Sequence, residues 1–373
     1  MAGVYIHIPF CRKACHYCNF HFSTSLNLQD DLINALLHEI DVRQSYLSEP
    51  VSTIYFGGGT PSVLLSVNIK NIILNLQKNF IIENNAEITL EANPDDITSE
   101  KLTDWKEIGI NRLSIGIQSF LPEDLQWMNR AHDARQALDS IGLAQKAGFH
   151  NLTIDLIYGT PALSDEAWKQ NVKTAISLQI PHLSCYALTV EPKTALEKLI
   201  KQKMVADVDT EKQARHFELL MQWMTEAGYE HYEISNFAKP GFRSKHNSSY
   251  WRQKPYVGFG PSAHSFNGAS RQWNVANNAL YIQSLSKGVV PFESETLTTK
   301  QQLNEYIMTS LRTIEGISLQ KVKQTFGKDK CEYIIKTARP HFNHNYLTIE
   351  NEYLKTTPEG KLLTDGIAAD LFV

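Results

Sequence analysis

Val4-Tyr5-Ile6-His7-Ile8-Pro9-Phe10-Cys11-Arg12-Lys13-Ala14-Cys15-His16-Tyr17-Cys18 is the stretch on which the reading of this chain turns. Its first seven residues form an apolar, strand-like run, and its cysteines then follow as C-x3-C-x2-C on a loop. That spacing brings three thiols around one point and supplies no fourth. A structural metal site closes its coordination sphere with four protein ligands, whereas a reactive one leaves a position open. Three sulfurs on a four-iron cube would leave one iron free for a small molecule. Zinc is a competing reading, because His16 or His21 could complete a Cys3His set, although zinc modules usually pair two C-x2-C knuckles and the sequence holds no second one.

Beyond this loop, short apolar runs alternate with longer amphipathic stretches. Strands are predicted at 4–8, 53–56, 87–90, 112–117, 152–157 and 183–188, with helices at 30–43, 68–78, 99–107, 134–147 and 165–178 between them. Strands alternating with helices of this length imply βαβ units and a parallel sheet, and six such repeats point to a partial (β/α)6 barrel of the TIM type. The rhythm fades near Pro192, and an aromatic- and Asn-rich region with a helix at 211–227 follows. From about Thr298 three helices (300–313, 318–326, 331–338), a hairpin (346–349 with 353–356) and a closing helix (364–371) give an α+β module of winged-helix type. The predicted division is 1–195 for the barrel, 196–295 for a connecting region that completes it, and 296–373 for the C-terminal module.

The chain has 373 residues, 42% of them hydrophobic and 20% charged, enough for one large domain and a smaller one. Lys and Arg number 36 against 40 Asp and Glu, a net charge of −4 that gives no sign of nucleic-acid binding. No apolar stretch reaches the roughly 18–20 residues of a membrane span, and no secretion signal is visible. Five cysteines, three of them within eight positions, argue against a disulfide framework and for a reducing compartment, so a cytoplasmic location is expected.

Four further strand ends carry polar groups. Gly57-Gly58-Gly59-Thr60-Pro61 follows the second strand, where a barrel gathers its functional groups, and its glycines let backbone amides approach a ligand closely. Glu91 follows the third strand, Gln118 ends the fourth, and Asp155 lies inside the fifth. A carboxylate in an apolar parallel strand is costly to bury unless it is paired or binds something. Together they suggest a ring of donors and acceptors around one small polar ligand.

In these residues the chain resembles the radical S-adenosylmethionine enzymes. The opening Tyr-Ile-His-Ile-Pro-Phe-Cys narrows the likeness to the branch containing oxygen-independent coproporphyrinogen III oxidase (HemN) and the related heme chaperones (HemW). The resemblance spans essentially the whole chain. It implies that Cys11, Cys15 and Cys18 hold a 4Fe–4S cluster whose open iron is chelated by S-adenosylmethionine, and that an electron from the reduced cluster can cleave this sulfonium to a 5′-deoxyadenosyl radical. It places Tyr5 near the cofactor, Gly58, Gly59 and Thr60 at its methionyl amino group, and Glu91, Gln118, Arg130 and Asp155 at its sugar and carboxylate ends. Amide and acidic groups suit ribose hydroxyls, and a guanidinium suits a carboxylate.

Two departures from the oxidase pattern favour the chaperone side. The oxidases carry a further cysteine two positions after the third, where this sequence has Phe20, and they have an extension before the first barrel strand, which here begins at residue four. A third feature is a gain: His246-Asn247-Ser248-Ser249-Tyr250-Trp251 reproduces the chaperones' HNxxYW signature. A neutral imidazole is a good axial ligand for heme iron, and Tyr250 and Trp251 could pack on a macrocycle; the plain alternative for His246 is a helix-capping or carboxylate-paired histidine. His264 is a secondary candidate. The implied partners are heme, heme-accepting apoproteins and a flavodoxin- or ferredoxin-type electron donor. Against heme carriage stand oxidative decarboxylation of coproporphyrinogen III and radical chemistry on another tetrapyrrole.

Gly258-Phe259-Gly260-Pro261-Ser262-Ala263 fits the dinucleotide pattern G-x-G-x-x-A, but the preceding 252–256 is polar and contains Pro255, and no acidic residue follows about twenty positions later. A helix beginning with Pro261 at its first position is expected there instead. Cys185 and Cys331 are expected to be packed thiols.

Overall fold

The computed structural model describes residues 2–373. Six parallel strands, β1 (Ala2–Ile8), β2 (Val51–Gly58), β3 (Ile82–Ala92), β4 (Arg112–Gln118), β5 (Leu152–Tyr158) and β6 (His182–Ala187), stand side by side in chain order. Their side chains alternate between two environments. On β1, Val4, Ile6 and Ile8 are buried against the helix Gln29–Val42, through Leu32, Leu36 and Ile40, while Tyr5 and His7 point the other way. The same period of two puts Ile54, Phe56, Ile88, Leu90, Leu113 and Ile115 into the core beneath the outer helices. The opposite face carries Thr53, Glu87, Glu91, Arg112, Asp155 and His182, so the inside of this partial barrel is polar.

The connecting region adds six short strands to the sheet, with helices between them. β7 (Glu230–Glu233) and β8 (Asn236–Ala238) extend the β6 edge antiparallel. β9 (Tyr256–Phe259) pairs in parallel with β1, and β10 (His264–Phe266), β11 (Ser270–Asn274) and β12 (Phe292–Thr296) continue antiparallel from it. The sheet is therefore twelve-stranded. This corrects the expectation for the G-x-G-x-x-A segment: a buried strand does lead into it, with Val257 and Phe259 in the core, and no helix follows. Gly260 turns the chain at φ +101, where a Cβ would stand 2.5 Å from the His7 carbonyl oxygen, and Ser262 adopts φ +64 before β10 returns. The dinucleotide reading still fails, because that motif needs a helix start after the strand. The third strand is also longer than expected, so Glu91 lies within β3 rather than after it.

A buried charge pair fastens this extension to the first helix. Glu39 is wholly buried and receives hydrogen bonds from Arg43 (3.0 Å), the Gly260 amide (2.9 Å), Asn274 (2.8 Å) and Tyr281 (2.5 Å). Arg43 also donates to the Gly258 carbonyl (3.0 Å), Ser265 (3.1 Å) and Gln272 (3.0 Å). A buried pair with this many partners is costly to break from one side.

The C-terminal residues form a second core around Leu303, Ile307, Val322, Ile334 and Leu354. The helix Thr299–Leu311 leads into three strands, β13 (Ile317–Ser318), β14 (Leu347–Glu350) and β15 (Tyr353–Thr356), in the order β13-β15-β14. The predicted hairpin is present, shifted by one residue, with Asn351 and Glu352 both at positive φ in its two-residue turn. Ion pairs join this module to the barrel: Arg312 with Glu233 (3.0 Å), Arg243 with Glu315 (2.9 Å) and Arg271 with Glu305 (2.6 Å).

Candidate functional site

The cysteine loop and the glycine loop lie against each other because β1 and β2 are adjacent and parallel. The Gly59 amide donates to the Ile8 carbonyl (2.9 Å) and the Thr60 amide to the Phe10 carbonyl (2.7 Å). A Cβ on Gly59 would meet the Phe10 carbonyl oxygen at 2.7 Å and the Cys11 sulfur at 3.0 Å, so only glycine allows this approach. Thr60 donates its hydroxyl hydrogen to Cys11 Sγ (3.4 Å).

Cys11, Cys15 and Cys18 are free, partly exposed thiols lining a cavity of about 380 Å³ over the carboxyl ends of β2 to β6. Gly58, Gly59, Thr60, Glu91, Gln118, Arg130 and Asp155, all singled out from the sequence, line the same cavity. Burial pushes the Cys18 thiol up to about 11 and Cys11 upward as well, so thiolates there require a compensating positive charge. Arg130 supplies one: its Nη1 donates to Cys15 Sγ (3.2 Å) and its Nη2 to Asn93 Oδ1 (2.8 Å) and the Gly116 carbonyl (2.7 Å). Its Nε is buried without a partner, a donor left for an anionic group. Gln118 holds φ +69 at the end of β4, a left-handed conformation that ends pairing and turns the chain at the cavity.

The two carboxyl groups are partly buried at the cavity wall without a cation in contact. Burial lifts Glu91 to about 8, against the opposing hydrogen bond from Tyr55 (2.7 Å), and lifts Asp155 to about 6, against a hydrogen bond from Ser184 and the positive charge of Arg112. Such groups suit ligand hydroxyls or an ammonium. A soft, all-sulfur set, a cationic partner and polar strand ends fit an iron–sulfur cluster with a small zwitterionic ligand beside it. The zinc alternative loses its fourth ligand: His16 Nδ1 is engaged with the Trp127 carbonyl (2.9 Å), His21 Nε2 with Asn278 (2.8 Å), and neither lines the cavity. Among the described residues, no three His, Cys, Asp or Glu side chains close around a single-ion position.

Tyr5 does not line the thiol cavity. It lines a second one, with His7 beside it, although the Glu91 carboxyl is close enough to raise its pKa, behind burial as the larger cause. His246 is also elsewhere. It is buried on the helix Lys245–Trp251 against the inside of the barrel, stacked on Tyr55 with ring centroids 5.0 Å apart. Nδ1 is bonded to Thr53 (2.8 Å), Nε2 to the Tyr250 hydroxyl (2.8 Å), and the His246 amide donates to Glu87 (3.0 Å). Burial holds its pKa down to about 3, so the ring is neutral. Tyr250 and Trp251 line the second cavity. Cys185 and Cys331 are buried, as expected of packed thiols.

Asn93, Ser114 and Tyr186 join the thiol cavity without having been singled out. Register was the available signal. Asp155 pairs with Ser184 and Ile157 with Tyr186, so Tyr186 shares the inward face with the fifth-strand carboxylate.

The fold and this sulfur-lined cavity are those of a radical SAM protein: the model of the radical SAM superfamily matches residues 5–175, and that of the HemN C-terminal domain matches 297–363. Relatives extend over the whole chain. It is 35% identical to the heme chaperone HemW of Bacillus subtilis (strain 168) across 98% of both chains, and 37% identical to that of Escherichia coli (strain K12) across 98% of this chain and 96% of that one. The chain belongs to the HemW family. Coproporphyrinogen III oxidase (HemN) from Escherichia coli has the same fold, with a TM-score of 0.87 over 100% of this chain and 90% of that chain at 23% identity. No helix among the described residues is long and apolar enough to cross a membrane.

Proposed function

We propose that this protein binds heme and delivers it to acceptor apoproteins, carrying a 4Fe–4S cluster on Cys11, Cys15 and Cys18 and S-adenosylmethionine beside it. When bound, the cluster and cofactor supply a one-electron route to sulfonium cleavage. The chain's own residues do the rest. Gly58, Gly59 and Thr60 would meet the cofactor's amino group with their oxygen atoms, the Gly59 and Thr60 amides being taken by Ile8 and Phe10, and Arg130 offers its unpartnered Nε to a carboxylate while steadying Cys15. Glu91, Gln118 and Asp155 present acceptors for ribose hydroxyls on a surface away from bulk water. An electron donor of flavodoxin or ferredoxin type and a cytoplasmic location complete the reading.

The observation that carries heme delivery over porphyrinogen oxidation is Phe20. It is 67% exposed on the rim of the thiol cavity, at the position where the oxidase pattern has another cysteine. An apolar ring there suits contact with a partner or a macrocycle and cannot ligate metal.

The deciding experiment gives anaerobically reconstituted protein coproporphyrinogen III and a reductant, and in parallel titrates it with heme and offers the loaded protein an apo-hemoprotein. Heme binding and transfer with no protoporphyrinogen formed is the expected result. Protoporphyrinogen formation without stable heme binding would replace this reading with the oxidase one.

A further inference from the structure

Pro94 restricts the residue before it to extended backbone, and Asn93 accordingly stands at φ −88 and ψ 146 just past the end of β3. From there it lines the thiol cavity and bonds in three directions. Its amide donates to Ser62 Oγ (3.2 Å), its Nδ2 donates to Thr60 Oγ1 (3.3 Å), and its Oδ1 accepts from Arg130 Nη2 (2.8 Å). The sense of these bonds follows from the groups themselves. A guanidinium has no acceptor, so Arg130 needs the carbonyl oxygen of the Asn93 side chain, which leaves Nδ2 facing Thr60. The Thr60 hydroxyl then accepts from Nδ2, and its single hydrogen goes to Cys11 Sγ (3.4 Å).

Asn93 therefore joins two bonds that end on sulfur. Arg130 Nη1 donates directly to Cys15 Sγ (3.2 Å), and through Asn93 and Thr60 the same guanidinium polarises a hydroxyl aimed at Cys11. This junction is itself anchored to the cysteine loop. Ser62 Oγ, which accepts the Asn93 amide hydrogen, donates to Asp96 Oδ2 (2.8 Å), and Asp96 Oδ1 accepts from Arg12 Nε (2.8 Å) between the first two cysteines. Ser62 and the Asp96 side chain are wholly buried, so water does not compete for these bonds.

From this arrangement we infer that Asn93 is a positioning residue for the cluster: it aims the Thr60 hydroxyl at Cys11, fixes Arg130 against Cys15, and so raises the potential at which a cluster on these thiolates accepts an electron. The inference rests on the cluster reading above and adds the residue that tunes it. Reduction takes one electron from an external one-electron donor, makes and breaks no bond, and leaves more negative charge on the sulfurs. Hydrogen-bond donors and a cation directed at those sulfurs favour the reduced form over the oxidised one. Asn93 makes no hydrogen bond to sulfur itself, so its effect passes through Thr60 and Arg130.

The test is a reductive titration of the anaerobically reconstituted full chain without S-adenosylmethionine, followed by visible absorbance and electron paramagnetic resonance, with iron and sulfide measured on the same samples. Asn93→Ala should keep its cluster and lower the midpoint potential by about 59 mV or more, a tenfold change in the one-electron equilibrium. Its iron–thiolate stretching bands should shift in resonance Raman spectra. Thr60→Val removes the hydroxyl between Asn93 and Cys11, so adding Asn93→Ala to that variant should lower the potential by less than in the unaltered background. Asn93→Ser, smaller but still polar, is measured beside the alanine variant. Absence of iron and sulfide from the unaltered protein would overturn the cluster reading itself. An unchanged potential in a cluster-bearing Asn93 variant, or equal falls in the two backgrounds, would overturn this inference alone. So would loss of the cluster from both Asn93 variants, because a residue that sets only the potential leaves ligation intact.

Discussion

The two cavities are built on different principles. The thiol cavity is assembled by consecutive parallel strands, so its residues arrive in order along the chain from Cys11 to Glu191, most of them on strands or the loops that follow them, with Arg130 on the loop after the helix Pro122–Trp127. The second cavity gathers Tyr5 and His7 with residues between 250 and 271 and with Glu305 and Thr309. Nothing local in the sequence brings those together. What does is a buried network centred on Glu39 and Arg43, which holds β9, β10 and β11 to the first helix, and the Arg271–Glu305 contact across the module boundary. A backbone ladder therefore sets one cavity, and a few buried polar groups set the other.

If that contrast is right, damage to each cavity should stay in its own half. The largest effect is expected at the cysteines: Cys18→Ser should lose nearly all reconstituted iron and sulfide, measured by chemical analysis and visible absorbance, while heme titration still saturates. An intact cluster in that variant would remove Cys18 as a ligand. Next comes Glu39→Ala, which leaves Arg43 buried without its carboxylate and should lower stability by about 3–5 kcal/mol in urea unfolding. At low temperature it should still accept a cluster, with heme binding impaired because Tyr250 and Trp251 line the second cavity. A loss under about 1 kcal/mol would mean that other contacts hold the β9–β11 extension.

A smaller effect is expected where the two loops touch. Gly59→Ala forces a methyl group against the Phe10 carbonyl and the Cys11 sulfur, an overpacking worth about 1–3 kcal/mol. S-adenosylmethionine affinity should fall in calorimetric titration of the reconstituted protein, because relieving the overlap moves the two loops apart. Heme affinity should not move. A parallel fall in heme affinity would show that the two cavities are coupled where His7, which lines the second, lies against Gly58, which lines the first.

The same contrast explains what could be read from the sequence. The parallel strands, the barrel class and nine lining residues of the thiol cavity were legible because each lies in a periodic segment or a motif beside it, while a tenth, Arg130, came from the family resemblance alone. Tyr5 was placed near the cofactor by the family resemblance, whereas it lines the other cavity, which depends on β9 pairing with β1 from far along the chain. β9 itself was missed because Pro255 and the polar residues before it mask a four-residue strand whose burial comes wholly from tertiary contacts. His246 read as a free ligand candidate, whereas its bonds to Thr53, Tyr250 and Glu87 are all set by packing that no local pattern encodes.

The smallest effect tests how dry the thiol cavity is. Glu91 is raised to about 8 by burial, above its ordinary 4.5, so between those values the folded chain keeps a proton that the unfolded chain has released. Its stabilising contribution is therefore whole below about 4.5 and is lost as pH rises through about 8. Asp155, raised to about 6 from 3.8, acts in the same direction over a lower window. Between pH 6 and 8 the decline should thus belong mainly to Glu91. In cluster-free protein, the melting temperature of Glu91→Gln relative to the unaltered chain should rise steadily across that interval and level off above it. Tyr55 donates to Glu91 at 2.7 Å and can donate to glutamine in the same way, which keeps the comparison close to one of charge alone. A flat difference would mean that Glu91 is already ionised at neutral pH, with water or a cation reaching it from the cavity. The thiol cavity would then be the wetter of the two, with its ligand displacing solvent instead of entering a dry pocket.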